Sequence, residues 1–414
     1  MTSFRPVPAA ATVDFRPWQP SFWALIATGA GVLGISLGIA LSLLWTRGPL
    51  GPYEYHLWKW EANTLLGNAF ARVGIGPDPD DAEGLVAVQN YFKLTSQLRA
   101  QNEAETPDLN LIDTLTSERA VYENDVERLV ERYIDDAVTS AGLQRGLPLF
   151  TGIRITWPPP DFELTSPPRL LVRSPRNVIK RDGDTLLKNG LTLRDIEDIE
   201  RRADSKDSVS LVISIGGLAA YPAIVRDDRS FDSLLETASH EWVHHYLAFV
   251  PLGQQWGKGG DAAALNETTA NIAGREIANL IRERHPISLP DGEDGRAPAA
   301  PAPTADFNKE MRDLRLQLDA LLKDGGVAEA ETLMEAKRLF LADHGITIRK
   351  LNQAYFAFYD TYADGPASTN PVGPKIETVW QLTKDVGLFL KSMREVTSVR
   401  DLDATISRLQ AAKP

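Results

Sequence analysis

The sequence predicts an α+β protein, mostly α, with one transmembrane helix near its amino terminus. Three observations carry that reading. Apolar residues recur at helical spacing over 47–147 and again over 306–414. Short runs rich in β-branched residues fall between 149 and 215. No charged residue occurs from Pro17 to Thr46, a length that crosses a bilayer as a helix.

Residues 1–20 are proline-rich and polar and read as a tail. Residues 21–46 form the expected span, with Trp18, Trp23 and Trp45 near its ends as interfacial aromatics. A cleaved signal peptide is disfavoured, because the apolar run is too long and no small-x-small site precedes Arg47. Arg5, Arg16 and the amino terminus precede the span against Asp14, whereas Arg47 and Lys59 after it are offset by Glu54 and Glu61. That balance puts the large domain on the extracytoplasmic side. Ala30, Gly34, Gly38 and Ser42 make a small-residue stripe that permits close pairing of two spans in a homodimer.

Region 47–147 reads as helices over 53–72, 85–100 and 117–141. In the last, Val121, Val126, Leu129, Val130, Tyr133 and Ile134 keep the 3.6-residue period. The pattern then changes. Strands are expected at 149–157 and 168–173, a hairpin over 178–187 around Asp182-Gly183, and a strand at 209–215. Thr192 and Asp195 suggest a capping box that starts a helix running to about Ala203. Residues 286–305 read as a Pro-rich linker or exposed loop. An αα-hairpin turning at Gly325-Gly326 follows, then an aromatic helix over 351–362. Gly365-Pro366 and Gly373-Pro374 bracket a loop, and two helices finish the chain, the last begun by Ser398.

Chemistry concentrates in His240-Glu241-Trp242-Val243-His244. Ser230 is a plausible N-cap for this helix, and Asp232 suits its first turn. Positions four apart share a helix face, so His240 and His244 can reach one ion, with Glu241 between them as general base. Two imidazoles, a third protein ligand and one open position suit Zn²⁺ best. The candidate third ligand is Glu267, on a second helix that begins near Asp261. His245 lies about 100° around the helix from His244, which suits it to another task.

His240-Glu241-x-x-His244 followed by Asn266-Glu267-x-x-Ala270-Asn271 resembles the gluzincin metallopeptidases, the group of thermolysin. The resemblance covers about forty residues. A narrower likeness is to membrane-anchored bacterial aminopeptidases. The resemblance implies a zincin-like catalytic core over 148–285, with Glu267 completing the metal site. In that group an acid four residues later orients a ligand histidine. Asn271 stands there in this chain, able to accept from an imidazole N–H without the charge. The resemblance also implies an edge strand that pairs with extended substrate. Ala219, Ala220 and Tyr221, in the segment running to Val225, are the expected positions. A donor for the developing oxyanion is required as well. Tyr355 is the first candidate, with Tyr359 and His344 next.

The chain bounds its partners. Net charge is −12, with 56 acidic against 44 basic residues, which argues against nucleic acid. Cysteine is absent, so any zinc must be held by His and Glu. The expected function is a membrane-anchored zinc metallopeptidase acting on peptide or protein substrates. Two readings compete: a zinc hydrolase of a non-peptide amide, and a membrane-anchored helical interaction protein with a structural or vestigial zinc site. An intramembrane protease is disfavoured, because His240 lies far beyond the only span in a polar context.

Overall fold

The computed structural model describes residues 50–57, 60, 81–147, 150–258, 261–296 and 302–412. The expected tail, the span at 21–46 and most of the helix at 53–72 lie outside the described residues. Among those described, no helix is long and apolar enough to cross a membrane. Residues 46–414 form one compact unit, α+β and mostly helical.

Two long helices open the described chain, α1 (Asp81–Asn102) and α2 (Leu109–Ser140). The second starts earlier than its apolar period suggests, because Asp108 caps it by accepting from the Asn110 and Leu111 N–H groups. Tyr91 and Phe92 of α1 and Leu129, Val130 and Ile134 of α2 are buried together. Each such side chain contributes about 1.5–3 kcal/mol of burial.

Eight short strands follow among the described residues: β1 (Arg145–Leu147), β2 (Phe150–Ile155), β3 (Phe162–Leu164), β4 (Arg169–Pro175), β5 (Asp184–Leu187), β6 (Ser208–Ser214), β7 (Gly217–Leu218) and β8 (Ala223–Val225). They form a β1–β2 hairpin, an antiparallel sheet ordered β5-β4-β6, and a sheet ordered β3-β8-β7 in which β3 and β8 are parallel. The expected 178–187 hairpin is displaced. The arm that pairs with β5 is β4, and Asp182-Gly183 lies at the foot of β5, where Arg173 N–H donates to the Gly183 carbonyl. Gly183 has φ +138°, and a Cβ there would lie 2.7 Å from the Arg173 guanidinium, so position and glycine are matched. Between β5 and β6, helix α3 (Leu193–Ala203) begins with the expected Thr192–Asp195 capping box.

Two helices carry the site, α4 (Phe231–Ala248) and α5 (Asp261–Arg284). Ser230 caps α4 by accepting from Ser233 N–H. The described part of the 286–305 segment is a docked loop rather than a free linker. Asp294 accepts from Phe231 N–H at the start of α4, Gly295 N–H donates to Ser96, and Arg296 pairs with Asp232. The first turn of α4 is thus held from outside.

The αα-hairpin is present as α6 (Phe307–Lys323) and α7 (Val327–Asp343), followed by α8 (Gln353–Tyr359) with Asn352 as N-cap. The carboxyl-terminal end holds three helices where two were expected: α9 (Val372–Thr383), α10 (Val386–Met393) and α11 (Val399–Ala411). Pro374 sits in the first turn of α9, where its missing N–H leaves no helix bond unmade. Lys384 in the left-handed region and Asp385 as N-cap separate α9 from α10. Residues of α1, α2, α4, α5 and α9–α10 share one core, so the expected amino-terminal, central and carboxyl-terminal regions are welded together there.

Candidate metal centre

Helices α4 and α5 pack with their backbones in near contact. Gly274 of α5 faces His240, and a Cβ there would stand 2.8 Å from the His240 N and Cα atoms. This close approach brings three side chains together. The Nε2 atoms of His240 and His244 are 3.0 Å apart. Glu267 Oε2 lies 3.5 Å from the first and 3.4 Å from the second. Tetrahedral zinc at about 2.0–2.1 Å from each donor requires donors about 3.3 Å apart, and these separations match. Among the described residues, no other set of three or more His and acidic side chains converges within ligand reach of one point.

The donor chemistry fits a cation too. Glu267 is 7% exposed, and its Oε2 is buried with no hydrogen-bond donor. At 3.4–3.5 Å the imidazoles approach it electrostatically rather than by a good hydrogen bond. Burial alone would raise the Glu267 carboxyl, but the His244 charge and the two imidazole contacts outweigh it and hold the carboxylate well below the usual range. His244 responds in the opposite sense. Burial lowers it, the Glu267 charge overrides this, and it is pushed up to about 9. The acid and the His244 imidazole therefore hold each other in their charged forms, a pairing that a bound cation would take over by displacing the imidazole proton.

The histidine tautomers follow from their partners. Asn266 Oδ1 accepts from His244 Nδ1–H at 2.8 Å, so Nε2 is the nitrogen that faces the cluster and would offer its lone pair to a metal on losing its proton. Asn271, expected to orient a ligand histidine, donates instead to Asp364 at 3.2 Å. The reason is helical phase: Asn266 directly precedes Glu267 and faces α4, while Asn271 faces the 361–364 segment. His245 is buried and neutral, pushed down to about 4 chiefly by burial. Its Nε2–H donates to the Ala220 carbonyl at 2.6 Å, and Tyr221 meets its ring edge-on at 5.3 Å.

That bond decides the role of Ala219, Ala220 and Tyr221. They form the turn between β7 and β8, tied to α4 by His245, and β8 is the inner strand of its sheet. The edge strands of that sheet are β3 and β7, the latter formed by the two residues before Ala219. Gly217 lies directly over Glu241, and a Cβ there would overlap the carboxylate. Glu241 is 5% exposed, and burial raises its pKa against the opposing pull of His240 and His244.

Tyr355 is not at the site. Its ring packs on Tyr359 at 4.6 Å, beside the cluster formed by Met311, Leu314, Leu318 and Phe356. His344 closes α7, its Nδ1 against the Phe340 carbonyl. The tyrosine that feels the Glu267 and Glu241 charges is Tyr362. Its neighbour Ala363 donates its N–H to Thr268 Oγ1 at 2.9 Å, and Asp364 takes the Asn271 bond, so residues 362–364 lie along α5 next to Glu267. Burial raises the Tyr362 hydroxyl well above its ordinary value, and the Glu267 and Glu241 charges push the same way. It keeps its proton and remains a donor. Arg181 stacks over Phe358 at 5.5 Å, is held by Asp184, and its charge reaches Tyr362 and Glu267. Tyr362 ends the aromatic run 355–362, but α8 stops at Tyr359, and helical phase extrapolated through the stop points to the wrong ring. Comparison with protein-family models, curated proteins and solved structures finds no match to this chain.

Proposed function

We propose that the protein is a zinc-dependent hydrolase of peptide bonds, with a zincin-type arrangement of its ligand helices. The convergence of His240, His244 and Glu267 at tetrahedral spacing, with buried Glu241 beside them, carries this reading. Zinc bound by these three residues would polarise a carbonyl and make water acidic near neutral pH. Glu241 takes the proton of the attacking water and passes it to the leaving amine. Its raised proton affinity, set by burial, suits it to hold that proton in between. The Tyr362 hydroxyl donates to the carbonyl oxygen as charge develops there. Among the described residues strand β7 pairs only with β8 within its sheet, and its other edge is where an extended substrate backbone would add. The apolar segment 21–46 anchors the enzyme in a membrane, with the catalytic unit on the extracytoplasmic side.

The decisive variant is Glu241→Gln. It keeps the shape of the site and should retain stoichiometric zinc by metal analysis, while peptide hydrolysis falls about 10²–10⁴-fold. Undiminished hydrolysis by the zinc-loaded variant would overturn the assignment.

A further inference from the structure

Between the two ligand helices the chain makes a tightly held turn. Leu252 is fully buried, and its N–H donates to the Arg394 carbonyl at 3.0 Å. Gly253 follows, pressed so close to the end of α4 that a Cβ would overlap the Leu247 carbonyl. A 3-10 turn over Gly253–Gln255 closes when Trp256 N–H donates to the Gly253 carbonyl at 2.9 Å. Gly257 then takes φ +83°, a conformation that favours glycine, and redirects the chain just after the indole. The backbone of Trp256 is therefore fixed on both sides.

Its indole meets the His244 ring edge-to-face, with centroids 5.5 Å apart and planes at 68°. Yet Trp256 remains 48% exposed. Much of a large apolar surface is left in water beside a ligand imidazole, in a turn that leaves its backbone little freedom to turn it inward. Burying that surface against a ligand would recover the hydrophobic contribution that folding leaves unused.

We propose that Trp256 is the wall of a substrate subsite that takes a flat apolar side chain, aromatic best, on the residue flanking the bond held at His240, His244 and Glu267. The peptide nature of the substrate rests on the hydrolase reading above; the subsite itself rests on the turn and on the indole–imidazole contact. A ring stacked on the indole gains through offset or edge-to-face contact as well as through burial. A small or charged side chain at the same place leaves the indole wet.

Two small metal-binding probes separate ring recognition from catalysis. Acetohydroxamate and benzohydroxamate share the chelating group and differ in the ring. Equilibrium binding of each to the zinc-loaded full chain should show a preference for benzohydroxamate. Trp256→Ala should reduce that preference about tenfold, and Trp256→Phe should keep most of it. An unchanged preference in Trp256→Ala overturns the proposal. So does an equal loss for both probes, which would make Trp256 a brace for His244 only. A second measurement reads position: Co²⁺ added to the metal-free chain should quench tryptophan emission more in wild type than in Trp256→Phe. Equal quenching in the two overturns the placement of the indole. Ring preference without any peptide cleavage would sink the hydrolase reading and leave the subsite standing; cleavage without ring preference would do the reverse.

Discussion

Glu200 and Glu267 are buried to about the same depth, at 3% and 7% exposure, and their surroundings treat them differently. Glu200 is answered by the protein. Arg349 and Lys350 pair with it, and Val212 N–H donates to it at 2.8 Å. Burial pushes its pKa up, and these partners outweigh burial and bring it down. Among the described residues, Glu267 is approached by two imidazoles at 3.4–3.5 Å, feels the Arg181 charge from further off, and keeps one oxygen without a hydrogen-bond donor. A buried acid whose charge is compensated by its own chain ties elements together. A buried acid that keeps one oxygen without a donor, beside two imidazoles at ligand spacing, is a place for an ion from outside.

That contrast makes predictions of decreasing size. Glu267→Gln should lower zinc affinity by more than the roughly hundredfold that loss of an outer partner costs, read by competition with a chelator. Glu200→Gln should leave zinc affinity alone and destabilise the fold by about 1.5–3 kcal/mol, because it weakens the charge-assisted bonds to Arg349, Lys350 and the Val212 N–H. Denaturant unfolding measures the second effect, and loss of zinc from Glu200→Gln would break the comparison. Tyr362→Phe should lower kcat about hundredfold, while Tyr355→Phe leaves it unchanged; steady-state kinetics on one peptide separates the two tyrosines. Asn266→Ala should weaken zinc about 10–100-fold, and Asn271→Ala should not. The smallest effect concerns a third acid, Glu123. Burial raises it to about 7 from an ordinary 4.5, Arg119 opposes, and Asp227 and Glu163 reinforce. The folded protein holds this proton where the unfolded chain has released it, so the contribution to stability is full below 4.5 and is lost as pH rises through about 7. Glu123→Gln should make Tm fall less than in wild type as pH rises from about 5 to about 8.

How much of this the sequence discloses depends on how far each signal reaches. His240, Glu241 and His244 lie on one helix, and spacing alone places them. Glu267 was legible because its own helix has a start signal at Asp261. The α4 cap at Ser230 and the Thr192 box are local chemistry and appear where expected. Tyr362 was not legible, because its position is set by the Ala363–Thr268 bond, a contact across 95 residues. Gly217 was hidden for a similar reason: its proximity to Glu241 comes from the pairing of β7 with β8, where a two-residue strand gives no period to read. Asp182-Gly183 advertises a tight turn, but the longer 176–183 connection prevails, because β4 pairs with both β5 and β6.

Gly274 never touches the ion seat, yet it governs it. Two turns of α5 separate it from Glu267, and its bare Cα is what lets α5 settle against the backbone at His240. A single methyl group there would act as a wedge under one end of a lever, lifting the far carboxylate away from both imidazoles. Selectivity among ions of different radius would then be tuned by the thickness of a helix crossing, at a residue that a search of the coordinating atoms would pass over.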